Sequence, residues 1–118
     1  MPPRARPSRS EVWMGRLDPV EGREQGLFRP VLVVSDDAYN HGPAAMAVIV
    51  PLTTRHRPEF DSFRTSVRPP EGGLSAVSYA MPDQIRAIST NRLGRRLGRV
   101  GPMTLAEVED RIRILLGL

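Results

Sequence analysis

The sequence predicts a mainly β fold, a small barrel carrying one α-helix at its C-terminal end. Three observations carry this reading. Short runs rich in β-branched residues recur along the chain, as in PVLVVS and AMAVIVPL. Glycine and proline punctuate the intervals between them. One clear helical stripe, Leu105, Val108, Ile112 and Leu115, lies near the end. The 118 residues fit one domain. A core of that size is modest, and a dimer is a natural way to bury more.

The elements follow in order. Residues 1–9 (MPPRARPSR) read as a disordered basic arm, leaving a single domain over 10–118. Residues 11–17 form a first strand. Residues 18–27 hold Pro19, Gly22 and Gly26 among charges and read as a functional loop. Residues 30–35 are a buried strand, 36–42 a polar turn with one helical turn after an Asp cap, and 45–52 a second buried strand stopped near Pro51. A polar loop over 55–59 leads to a weaker strand over 60–67. The PPEGG run at 69–73 is a turn. Residues 74–79 and 84–88 flank Met81-Pro82-Asp83 as paired strands or as one bulged strand. A helical turn over 89–93 and a short strand over 97–100 come last before the helix. Thr104 and Glu107 have capping-box spacing, and Gly117 ends the pattern. The helix is expected to cover the open end of the barrel.

Composition narrows the chemistry. The chain has no cysteine, which excludes a disulfide framework, a thiol nucleophile and a cysteine-based zinc site. His41 and His56 are the only histidines and have no ligand-spaced partners, so neither a metal nor a cofactor is expected. No apolar run reaches the length of a membrane span. No apolar segment follows the basic start, so it is not read as a secretory signal, and a cytoplasmic location is expected. The net charge is +4, and all 17 basic residues are arginine. A coding bias toward arginine accounts for the count alone, but position says more. Arg86, Arg92, Arg95, Arg96 and Arg99 lie within residues 84–100, which hold no acid. Such a stretch suits a polyanion.

Three clusters hold groups able to do chemistry. Arg29 stands where a charged loop enters a buried strand, and Pro30 keeps it extended. The same spacing fits an arginine snorkelling at a strand end. Thr53 and Thr54 follow a buried strand, where a hydroxyl can donate to a phosphate oxygen or simply serve a turn. In Asp83-Gln84-Ile85-Arg86, alternation puts Gln84 and Arg86 on one face, toward substrate or toward solvent.

These clusters occur as EQGLFRPVLVVS, VPLTT, DQIRAI and RLGRRLGRV, followed by the terminal helix. That succession resembles the MazF/PemK (Kid) family, the ribonuclease toxins of bacterial toxin–antitoxin pairs, from about Glu11 to Leu118. The resemblance implies an SH3-like barrel of the MazF/Kid/CcdB type, a homodimer, and cleavage of single-stranded RNA (mRNA) without metal. It also implies a cognate MazE-like antitoxin, acidic and partly disordered, as partner. Arg29 and Thr53 match the family's catalytic arginine and threonine. Glu24 and Gln84 match positions lining the RNA site, and Glu24 is a candidate base or orienter of Arg29. Gln25, Pro30, Ser35, Thr54 and Arg86 are expected to contact substrate with Gln84. Two departures, Leu27-Phe28 before Arg29 and Pro82 before Asp83, fall near where bases would be read.

A metal-free ribonuclease of this kind uses the 2′-OH of RNA as nucleophile, which also sets RNA apart from DNA. Two rival readings stay open. One is a gyrase-poisoning toxin of the CcdB type, acting through its C-terminal helix. The other is a barrel that binds RNA without cutting it.

Overall fold

The computed structural model describes residues 5–17 and 28–118. The strands are β1 (Glu11–Arg16), β2 (Phe28–Val33), β3 (Met46–Thr53), β4 (Thr65–Val67), β5 (Ser78–Ala80), β6 (Arg86–Ser89) and β7 (Leu93–Arg99). A one-turn helix, α1 (Asp37–Asn40), follows β2, and α2 (Pro102–Leu116) ends the chain. The architecture is mainly β, as expected. The sheet is antiparallel and curls into a half-barrel in the order β4-β5-β3-β2-β1-β7, with β6 also on β3.

β3 organises the molecule. One edge pairs with β2, Val31 opposite Pro51 and Val33 opposite Ile49. The other edge pairs first with β6, Ile49 opposite Arg86, and then with β5, Thr53 opposite Tyr79. β5 and β6 therefore lie end to end and do not form the hairpin that was one sequence expectation. The 3₁₀ turn Pro82–Gln84 separates them. Pro51 does not stop β3, which runs on to Thr53. It falls where β3 changes partner, so its missing N–H leaves no ladder bond unmade. Its carbonyl still accepts from the Met81 N–H at 2.9 Å.

From Val31 to Val33, β2 is buried on both faces, because each side of the half-barrel has its own core. Val12, Leu32, Val50, Leu52, Val67 and Val108 belong to the core beneath α2, with Leu105 and Ile112 packed against it. Val31, Val33, Ala47, Ile49, Ile88 and Leu93 form the other core, covered by Trp13 and Leu17. Alternation along β2 and β3 puts Arg29 and Thr53 on this second side, away from α2.

Several expected boundaries move. β2 begins at Phe28, so Arg29 lies inside the strand and not at its entry. Strand structure in the 60–67 segment is confined to Thr65–Val67, because Pro58–Phe60 forms a 3₁₀ turn. β7 starts at Leu93, four residues earlier than expected, and pairs with β1 through two register shifts. The Gly94 and Arg95-Arg96 composition hides it from a propensity reading. The capping box is not the start of α2. Gly101 is the N-cap and Pro102 takes the first turn, where its missing N–H costs nothing. The Gly101 N–H instead donates to Glu71 Oε2 at 2.8 Å. Gly117 closes α2 in the left-handed conformation (φ 72°), as its composition predicts. Leu115, at the end of the predicted apolar stripe, stays exposed.

Part of the basic arm is docked. Pro7 is fully buried. The Arg9 N–H donates to Asp37 Oδ1 at 2.7 Å, and the Arg9 guanidinium donates to the Val34 carbonyl and pairs with Glu109. Local sequence composition cannot show such long-range partners.

Candidate active site

The register that aligns Val31 with Pro51 places Arg29 opposite Thr53 when carried two residues further. Thr53 in turn lies opposite Tyr79. Arg29, Thr53 and Tyr79 thus form one row across three strands, on one face of the sheet. Beside this row opens a cavity of about 400 Å³. Arg29, Thr53 and Gln84 line it, together with Arg55, Arg57, Phe60, Arg64, Met81 and Asp83. The structure therefore brings three of the predicted residues, from β2, β3 and the 82–84 turn, to one place.

The cavity is strongly cationic, with four arginines facing one carboxylate. That carboxylate is already committed. Arg64 donates to Asp83 from Nε (3.1 Å) and Nη2 (2.8 Å), and its guanidinium lies 4.3 Å over the Phe60 ring. Arg64 is 9% exposed and Asp83 25%. This pair is a wall and leaves the charge of Arg29 and Arg55 uncompensated by Asp83. Arg29 Nε is buried and has no hydrogen-bond partner among the described residues. A buried guanidinium nitrogen without an acceptor is costly, and an anionic ligand would satisfy it. Thr53 Oγ1 accepts the Arg55 N–H at 3.2 Å, which leaves its own proton free to donate.

The Arg64 hydrogen bonds hold the Asp83 carboxyl below its ordinary range, against partial burial, which acts in the opposite direction. A carboxylate with a lowered pKa contributes stability above its unfolded value, about 3.9, and loses it as pH falls through the folded value. Asp83→Asn should therefore flatten the loss of stability below about pH 4. Urea midpoints measured down the acid range check this, and an unchanged slope would remove Asp83 from the acid response.

Other predicted residues sit elsewhere. Alternation turns Pro30 to the face opposite Arg29. Ser35 lines a separate groove under α2 and serves the turn into α1, accepting the Val48 N–H at 2.9 Å and bonding Asn40 Oδ1. Thr54 is exposed just beyond β3. Arg86 lies opposite Ile49 and donates to the Leu17 carbonyl at 3.2 Å, outside the cavity lining. Glu24 and Gln25, with the whole 18–27 loop, lie outside the described residues. Arg55, Arg57 and Arg64 were not foreseen. The RHR run at 55–57 is a signal on the page of the sequence, but it reads as an ordinary polar loop until β3 is seen to deliver it beside Arg29.

The sequence pattern described as "PemK-like, MazF-like toxin of type II toxin-antitoxin system" matches residues 8–116. The chain belongs to this PemK/MazF toxin family. Among its relatives, the endoribonuclease MazF9 of Mycobacterium tuberculosis is 32% identical over 114 residues, spanning 93% of this chain and 96% of the relative. The endoribonuclease MazF of Staphylococcus saprophyticus is 30% identical over 111 residues, spanning 93% and 91%. A chain of a solved MazE–MazF structure from Deinococcus radiodurans superposes with a TM-score of 0.80 at 28% identity, covering 97% of this chain and 98% of that one. A mycobacterial endoribonuclease solved with its cognate antitoxin gives a TM-score of 0.75 at 28% identity, covering 95% and 96%. The sheet curvature and the placement of α2 are thus those of the MazF toxins.

Proposed function

We propose that this PemK/MazF-family protein is the toxin of a toxin–antitoxin pair and a metal-independent, sequence-specific endoribonuclease acting on single-stranded RNA. One observation carries the reading. The buried Arg29 Nε, unpartnered among the described residues, shares a cationic cavity with the Thr53 hydroxyl. Such a pair suits a phosphate whose charge grows during reaction. Relatives named as endoribonucleases support the same reading.

In the proposed reaction the RNA 2′-oxygen attacks the adjacent phosphorus while the P–O5′ bond breaks. The products are a 2′,3′-cyclic phosphate and a 5′-OH end. The 2′-OH proton goes to a base and O5′ receives a proton, so the step balances without water as a reactant. Arg29 holds the phosphate and stabilises the phosphorane charge, Thr53 donates to the same centre, and Gln84 contacts the flanking RNA. Glu24 is the proposed base or orienter. The cavity's donors are guanidinium, hydroxyl and amide groups, which suit an anion better than a metal ion. A homodimer, a MazE-like antitoxin laid over the basic face, and action on mRNA in the cytoplasm complete the proposal.

The test is to incubate the protein with a long RNA, with and without EDTA, and to sequence the 5′-OH ends. Cleavage at a recurrent short sequence, unaffected by EDTA, is expected. Intact RNA would overturn the ribonuclease reading, and loss of cleavage in EDTA would overturn its metal independence. Thr53→Val should slow cleavage by about 10²-fold, with Thr53→Ser recovering most of it. Equal rates in Thr53→Val and wild type would remove the hydroxyl from the mechanism. The exposed apolar side chains at the end of α2 (Ile114, Leu116) and just beyond it (Leu118) suit a gyrase-directed toxin instead. A supercoiling assay run beside the RNA assay separates the two.

A further inference from the structure

The row of Arg29, Thr53 and Tyr79 ends on an aromatic pair that the cleavage chemistry leaves unused. His56 stacks on Tyr79, with ring centroids 4.8 Å apart and planes 15° from parallel. His56 Nε2 is also 2.9 Å from Asp61 Oδ1. Two contacts thus fix the imidazole, yet its side chain keeps 46% of its surface exposed. A ring that is held in place and still open on the surface is a preorganised stacking face.

Its position relative to the cavity matters more. Tyr79 lies directly opposite Thr53 on the neighbouring strand. Strand spacing puts it about 5 Å from Thr53 and about 10 Å from the Arg29 strand. A phosphate held between Arg29 and Thr53 would therefore have its neighbouring nucleotide beside His56. Arg55 and Arg57, both exposed, flank His56 in sequence and line the same cavity. Alternating cations and an aromatic face are what a single strand requires, the cations for the backbone and the ring for a base.

We propose that the His56–Tyr79 pair is a base-stacking platform for the nucleotide next to the scissile phosphate, with the base on the exposed face of His56 and Tyr79 behind it. The proposal rests on the ribonuclease reading above. His56 acts here as a binding and specificity-determining residue and transfers no proton.

The test uses the full-length protein and a short RNA containing a mapped cleavage site. The nucleophilic nucleotide is made 2′-deoxy to block reaction, and 2-aminopurine is placed in turn on each side of the scissile phosphate. Wild type should quench the fluorophore at one flanking position by stacking. His56→Ala should abolish that quench and raise KM about ten-fold on cleavable RNA, with little change in kcat. His56→Phe should restore both, because it keeps the ring and discards the titratable nitrogen. Absence of quenching at both positions, or an unchanged KM in a folded His56→Ala protein that still cleaves, would overturn the platform alone. Failure of His56→Phe to rescue would overturn stacking as its basis. Wild-type protein that leaves all RNA intact would instead remove the ribonuclease reading, and the platform with it.

Discussion

Arg29→Ala should lower RNA cleavage by about 10²–10³-fold or more while the protein stays folded. The effect is large because Arg29 contributes differently to the two states. In the free protein its Nε is buried without a partner among the described residues, so removing it sacrifices no hydrogen bond seen in the fold. In the transition state the same nitrogen would face a phosphorane carrying extra negative charge, in a cavity where Arg64 is already neutralised by Asp83. Stabilisation that grows between ground and transition state appears in kcat. Arg29→Lys should recover only part of the rate, because an ammonium keeps the charge and loses the fork that grips two phosphate oxygens. Single-turnover rates on a mapped site, with thermal unfolding as the control, check both variants. A folded Arg29→Ala protein that cuts at the wild-type rate would end the assignment.

Gly73→Ala should cost about 3 kcal/mol or more of stability, and with it about 10 °C of melting temperature. Two effects coincide there. Gly73 has a φ of +69°, which disfavours a side chain. An added Cβ would lie 1.9 Å from the Leu97 carbonyl oxygen and 2.4 Å from its carbon. Both are backbone atoms of β7, which is paired with β1, so neither can swing aside as a side-chain tip would. Gly98 is the reciprocal half of this approach, since a Cβ there would meet Gly73 N at 2.7 Å. Gly94→Ala is the matched control on the same strand, because its Cβ would meet only the Met14 carbonyl at 3.6 Å. Comparable melting temperatures for Gly73→Ala and wild type would show that the 71–73 turn can move off β7 cheaply.

The two variants mark a division within the molecule. Arg29 sits in a strand whose burial is secured by Val31, Leu32 and Val33, so the site can be altered without opening the core. Gly73 holds a turn against β7 and carries no group able to do chemistry. Activity and stability are therefore expected to respond separately. The separation arises because the cavity lies on the side of the sheet away from α2, while the 71–73 turn anchors the helix start through Glu71 and Gly101.

Much of the fold was legible along the chain. The apolar runs at 30–35 and 45–52 became β2 and β3, because a strand buried on both faces reads as a continuous β-branched run. The stripe of Leu105, Val108 and Ile112 became the buried side of α2 for the same reason of periodicity. β7 was only half visible, since glycines and paired arginines carry no apolar signal. Thr104 and Glu107 have the spacing of a cap, but Pro102 and the long-range bond from Gly101 to Glu71 set the helix start instead.

For the site, order along the chain was informative and contact was not. The succession of Arg29, Thr53 and Gln84 is written in the sequence, as are the absence of cysteine and the excess of arginine. What the sequence could not decide is which polar residues meet. That depends on the register of β3 against β2 and β5, which sets Arg29, Thr53 and Tyr79 in one row. The same geometry brings Arg55 and Arg57 into the cavity lining, stacks His56 on Tyr79, and leaves Ser35 under α2. Periodicity and composition are local properties and survive in a linear reading. Strand register and cavity shape arise from contacts between residues far apart in the chain, so only the folded sheet defines them.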